Sequence, residues 1–193
     1  MGMRVVAFNG SARREGNTAL LLKRVLDELE KQGIETEVVS LAGRDVRGCT
    51  ACYQCYENRD GRCVIDDMVN DCIRKMQAAE GVILASPTYF ANVSPALKAL
   101  IDRVGMVARA NDDLLRRKIG AAVVAVRRAG ALPVFDAINR FFLIGQMVVP
   151  GSSYWNLGIG RDPGDVADDG EGMETMRILG ENMAWLLRRL HGK

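Results

Sequence analysis

Apolar positions along this chain follow two alternating patterns. Short runs rich in apolar and β-branched residues, Met3 to Phe8, Glu35 to Leu41, Gly81 to Ala85, Ala121 to Val126 and Met147 to Val149, read as strands. Between them, apolar residues recur every three or four positions. Leu22, Val25, Leu26 and Leu29 give one apolar face to a helix from Thr18 to Gln32, closed by Gly33 as a C-cap. Met68, Cys72, Ile73 and Met76 do the same from Asp67 to Ala79. Ser94-Pro95 supplies an N-cap and a first-turn proline for the next helix. Leu132 to Gln146 is expected to be helical. A last helix from Glu171 to Leu190 turns Met176, Leu179, Met183 and Leu186 or Leu187 inward.

Five short strands separated by helices imply an α/β fold, a parallel sheet covered on both faces in a three-layer sandwich. Of the two common doubly wound orders, 2-1-3-4-5 suits five strands and puts a ligand at the carboxyl ends of strands one and three. Residues 1–193 read as a single domain. It carries a long irregular, cysteine-containing loop at 42–66 and a C-terminal extension and helix at 150–193.

Composition narrows the chemistry. With 193 residues the chain is long enough for a full core. A net charge of +2 gives no reason to expect nucleic acid or a charged membrane surface as partner. No apolar run approaches a bilayer span and no leader precedes the first strand, so a cytoplasmic location is expected. The single histidine, His191, lies in the C-terminal tail. Ser-His and Cys-His nucleophiles and histidine metal sites are therefore disfavoured, and a cofactor is expected to supply any chemistry. No catalytic side chain is nominated.

The loop after the first strand, Gly10-Ser11-Ala12-Arg13-Arg14-Glu15-Gly16-Asn17-Thr18, has the makings of an anion site. The first N–H groups of a helix lack intrahelical partners and its dipole adds positive potential. Ser11, Asn17 and Thr18 add hydrogen-bonding side chains and Arg13 a full charge. No Gly-Lys-Ser/Thr closes the loop, and neither the three-glycine dinucleotide spacing nor an acid ending the second strand is present. A mononucleotide phosphate fits better. The loop after the third strand, Ser86-Pro87-Thr88-Tyr89-Phe90-Ala91-Asn92-Val93-Ser94, offers aromatic faces and edge hydrogen bonds to a flat ring, although Tyr89 and Phe90 could instead pack on the following helix.

Asn9-Gly10-Ser11-Ala12-Arg13, Gly16-Asn17-Thr18, Ser86 to Phe90 and Lys98-Ala99-Leu100-Ile101-Asp102-Arg103 together resemble the NAD(P)H-dependent FMN reductase family, close to the iron-sulfur flavoproteins. The resemblance spans nearly the whole chain. It implies a flavodoxin-like fold and noncovalent FMN, with NADH or NADPH as electron donor and a quinone, flavin or other small molecule or protein as acceptor. Ser11, Arg13, Gly16, Asn17 and Thr18 would hold the phosphate. Pro87, Thr88, Tyr89, Phe90 and Asn92 would line the ring and ribityl chain, and the loop Arg127-Arg128-Ala129-Gly130 would approach the ring's other edge. Many relatives have small residues where this chain has Arg127 and Arg128. They are often homodimers or homotetramers, and a homo-oligomer is expected here. The aromatic loop Pro150 to Asn156 could cap the flavin or cross to a neighbour.

Cys49, Cys52, Cys55 and Cys63 form C-x2-C-x2-C-x7-C, whereas Cys72 falls on the inward face of a helix. Dense thiolates suit an iron-sulfur cluster or zinc, and packed or redox-sensitive thiols without metal are a further reading. The spacing resembles the motif of iron-sulfur flavoproteins, in which a [4Fe–4S] cluster passes single electrons to FMN. The first reading is an FMN-dependent NAD(P)H oxidoreductase; the alternatives are an iron-sulfur flavoprotein carrying electrons between ferredoxin and an acceptor, and a flavin-binding redox sensor.

Overall fold

The computed structural model describes residues 2–192. Its strands are β1 (Arg4–Asn9), β2 (Glu35–Ser40), β3 (Gly81–Pro87), β4 (Ile119–Val126) and β5 (Leu157–Ile159). All pairings are parallel, and the order is β2-β1-β3-β4-β5, as the sequence predicts. The helices are α1 (Asn17–Lys31), α2 (Gln54–Asn58), α3 (Met68–Ala78), α4 (Pro95–Ala110), α5 (Ala131–Ile144) and α6 (Gly170–His191).

Alternation along the strands divides the interior into two cores. Val5 and Ala7 of β1, Ile83 and Ala85 of β3 and Ala121 and Val123 of β4 meet α1 and α6 on one face. Val6 and Phe8, Val82 and Leu84, and Ala122 and Val124 meet α3, α4 and α5 on the other. The helix starts are encoded locally. Asp67 caps α3 by accepting the Val69 N–H at 3.0 Å, and Ser94 caps α4 with Pro95 in its first turn. Gly33, at φ +76°, leads the chain out of α1.

Two elements differ from expectation. The fifth strand is not Met147–Val149. Val148 makes only an isolated bridge to Ile119, after which Pro150 cannot donate and the chain loops outward. It rejoins β4 at Leu157–Ile159, opposite Val124–Val126. The edge strand is thus interrupted by the excursion 149–156, on which the Tyr154 and Trp155 rings meet at a tilt of 57° with centroids 4.6 Å apart. Within the 42–66 loop, expected to be irregular throughout, the structure forms the single-turn helix α2. It is flanked by Tyr53 and Arg59, both in the left-handed region.

Candidate functional site

The carboxyl ends of β1, β3 and β4 carry three loops that converge. Gly10 donates its N–H to the Ala85 carbonyl at 2.8 Å. A Cβ on Gly10 would fall 2.8 Å from Leu97 Cβ and from Ser94 Oγ, so the close approach of the two loops requires glycine. Beyond it, the Ser11 N–H donates to buried Asn9 Oδ1 at 3.0 Å, and Ser11 Oγ accepts the Arg13 N–H at 3.1 Å. The loop is therefore a hydrogen-bonded turn, and it leaves Arg13 and Arg14 exposed above the start of α1.

Thr18 is buried at that helix start. The first intrahelical bond is Ala19 N–H to Gly16 O, so the N–H groups of Asn17 and Thr18 stand before it, where no intrahelical acceptor exists. The Asn17 side chain has another use. Its Nδ2 donates to Asp162 O at 2.9 Å and its Oδ1 accepts the Gly164 N–H at 2.9 Å. It ties the loop after β5 to α1, so toward an anion Asn17 presents its backbone.

The second loop is a tight hairpin. Tyr89 and Asn92 exchange N–H···O bonds at 3.0 Å on both sides. Phe90 and Ala91 form the turn with φ of +48° and +56°. This is the primed turn geometry that glycine and asparagine normally occupy, so the Phe90 backbone is strained. The turn holds the Phe90 side chain wholly in solvent and leaves Tyr89 half-exposed, so these aromatics are not simply packed on the following helix. Thr88 fixes the base of the hairpin, donating from both N–H and Oγ1 to Ala125 O on β4 at 2.8 and 3.0 Å. Pro87 ends β3, and Asn92 turns its Oδ1 to the Val93 N–H.

The third loop meets the hairpin at Gly130. This residue has φ +88°, and a Cβ on it would lie 3.3 Å from Ala91 Cβ. Arg127 and Arg128 on the same loop are exposed.

A second cluster lies under α4. Cys49, Cys52, Cys55 and Cys63 line one hollow together with Tyr53, Ile65, Arg103 and Met106. All four thiols are free of disulfides. Cys55 is buried, and burial pushes its thiol up. The Gln54 N–H and the Thr50 hydroxyl hydrogen-bond exposed Cys52 and hold its pKa below the ordinary thiol value. The Ala51 N–H donates to Cys49 Sγ at 3.4 Å. Ala51 and Tyr53 both adopt left-handed backbone, the alternation that turns N–H groups toward an anionic ligand set. Among the described residues, no three His, Cys, Asp or Glu side chains converge tightly enough to hold a single metal ion. Four soft donors line the hollow and N–H groups turn to the sulfurs of Cys49 and Cys52, a donor chemistry that would suit a polynuclear cluster. Cys72 is separate, buried on α3, its thiol pushed up to about 12 by burial.

Sequence reasoning missed Arg103 as a functional candidate. It is the largest fully buried side chain, and its guanidinium touches the cysteine cluster.

Comparison with known proteins follows the same lines. The family model described as NADPH-dependent FMN reductase matches residues 3–162. An iron-sulfur flavoprotein of Methanocaldococcus jannaschii is 40% identical over 193 residues, covering 96% of this chain and 98% of that protein. An iron-sulfur flavoprotein of Methanosarcina thermophila is 33% identical over 176 residues, covering 90% of each. The solved structure of RosB with bound 8-demethyl-8-formylriboflavin-5′-phosphate superposes with a TM-score of 0.79 at 21% identity, over 100% of this chain and 82% of that one. At that identity the likeness speaks for the fold, which is flavodoxin-like. Among the described residues, no helix is long and apolar enough to cross a membrane.

Proposed function

The chain belongs to the NADPH-dependent FMN reductase family, and we propose that this flavoprotein oxidoreductase holds FMN on its three converging loops and a [4Fe–4S] cluster on Cys49, Cys52, Cys55 and Cys63, passing single electrons between a redox protein and the flavin. The observation that carries this reading is the gathering of four free thiols around one hollow. The names of the two iron-sulfur relatives support it. When bound, FMN exchanges electrons singly or in pairs, and a four-iron cluster exchanges them singly.

The chain's own residues bind and orient. The N–H groups of Asn17 and Thr18, the Ser11 turn, Gly16 and the charge of Arg13 suit the phosphate. Thr88, tied to β4, positions Tyr89 and Phe90 beside the place the ring would occupy, between Pro87, Asn92 and Gly130. A Gly130→Val substitution should therefore weaken FMN binding about tenfold. A β-branched residue is strained at φ +88° by roughly 1–2 kcal/mol, and its Cβ would press on Ala91. Equilibrium dialysis of FMN checks this, and an unchanged Kd would remove the third loop from the site.

A second reading rests on the exposure of Tyr89 and Phe90. A face this open admits a nicotinamide ring, and NADH or NADPH would then reduce the flavin directly, with the cysteines packed or redox-sensitive. Iron and acid-labile sulfide per FMN, measured on protein purified without oxygen, separate the two. About four of each is the expected result. FMN without iron or sulfide, together with rapid NAD(P)H oxidation, would establish the second reading.

A further inference from the structure

Arg103 projects from α4 into the interior, and its side chain has no exposure to solvent. A fully buried arginine needs a partner for each of its donors. This one finds four acceptors around the cysteine loop. Nε donates to Cys63 Sγ at 3.4 Å, Nη2 to Ile65 O at 2.9 Å, and Nη1 to Asp67 Oδ2 at 2.5 Å and to Arg47 O at 3.3 Å. Arg47 stands just before Cys49, whereas Cys63, Ile65 and Asp67 lie where the loop returns. One planar group thus joins the entry and the exit of the loop that carries the four thiols. The middle of the loop is tied to the far end of the same helix, by Arg59 Nε to Ala110 O and by the Gly61 N–H to Asn111 Oδ1, both at 3.0 Å.

Resting on the cluster reading above, we propose that Arg103 is the positioning residue of the four-cysteine site: it latches the loop shut and places a positive charge against the cluster, favouring its reduced form. A lysine cannot replace the latch, because a single ammonium cannot reach acceptors spread around a planar fork. It can replace the charge. A four-iron cluster held by four thiolates is anionic and gains one further negative charge on reduction. A cation in contact with a ligand sulfur, shielded from solvent, stabilises the reduced form more than the oxidised one. Asp67 offsets part of that charge, and removing Arg103 would leave the carboxylate unopposed, which acts in the same direction.

The test uses protein purified without oxygen and two variants, Arg103→Lys and Arg103→Gln. Hydrogen exchange reads the latch. In both variants the amides of residues 47–67 are expected to exchange at least tenfold faster, with those of β1, β3 and β4 unchanged. A spectroscopic redox titration reads the charge. Arg103→Gln is expected to lose at least tenfold in the reduced-to-oxidised ratio at a fixed potential, about 59 mV for one electron, and Arg103→Lys to stay close to the unsubstituted protein. Unchanged exchange in the loop, acceleration spread equally over the sheet, or equal potentials in all three proteins would each overturn the proposal. If Arg103→Gln does not accumulate folded, exchange in Arg103→Lys decides alone. Unsubstituted protein without iron or sulfide would refute the cluster reading instead, and loop exchange would still decide whether Arg103 is the latch.

Discussion

A Cys55→Ser variant purified without oxygen is expected to retain one FMN per chain and to lose essentially all its iron and sulfide. Cys55 is the most buried of the four thiols and sits on α2, whose single turn lies between the left-handed residues Tyr53 and Arg59. A serine there nearly keeps the volume and removes the soft donor, and a cluster with one ligand missing has no other cysteine within the hollow to take its place. FMN should remain because the two sites rest on different supports. The phosphate turn and the hairpin are built on Asn9, Ala85 and Ala125, at the ends of the central strands. The cysteine loop is held by Arg103, Asn70, Ala110 and Asn111, on α3 and α4 and at the end of α4. Cys72→Ala is the control. Its thiol, pushed up to about 12 by burial, stays protonated and faces the core, so iron content should not change. Iron retained in Cys55→Ser would refute the ligand assignment, and FMN lost together with iron would show that the two sites are not independent.

The legible parts of this fold are those encoded within a few residues. The stripe Leu22, Val25, Leu26, Leu29, the pair Ser94-Pro95 and the run Val82-Ile83-Leu84 each carry their own signal, and α1, α4 and β3 lie where those signals put them. The fifth strand is not legible in this way, because its pairing is set from outside. Leu157–Ile159 is only three residues long and becomes a strand because Val124–Val126 present an open edge, whereas the better-looking Met147–Val149 is cut off by Pro150. In the site, the polar loop and the aromatic pair are readable as chemistry but not as geometry. The Asn17 side chain bonds to residues more than 140 positions away, which no local pattern reports. Arg103 does leave a trace. Leu100, Val104 and Val107 put it on the buried stripe of α4, where a charge demands a partner, but the partner is identified only once Asp67 is brought beside it.

That partnership gives the largest expected loss of stability. Asp67→Ala should destabilise the protein by about 3–5 kcal/mol, because it strands a guanidinium with no access to water and removes the cap of α3 as well. At roughly 2–4 °C per kcal/mol for a chain of this size, the melting point should fall by about 10 °C. Asp67→Asn separates the two contributions. Asparagine still caps α3 and still accepts from Arg103, so only the charge is lost, and about 1–2 kcal/mol is expected. The pH dependence has a definite sign. Burial alone would raise the Asp67 pKa, but hydrogen bonds from Arg103 and the Val69 N–H, with the guanidinium charge, outweigh it and hold the carboxyl below its ordinary value of 3.8. A depressed folded pKa means that the stabilisation is complete above the unfolded value and disappears as the pH falls through the lower folded one. Denaturant unfolding of the unsubstituted chain and of Asp67→Asn should therefore show the same stability difference at pH 7 and pH 5, and a smaller one at pH 3. A difference as large at pH 3 as at pH 7 would mean that the carboxyl keeps its ordinary pKa in the folded protein, and that Arg103 does not hold it charged.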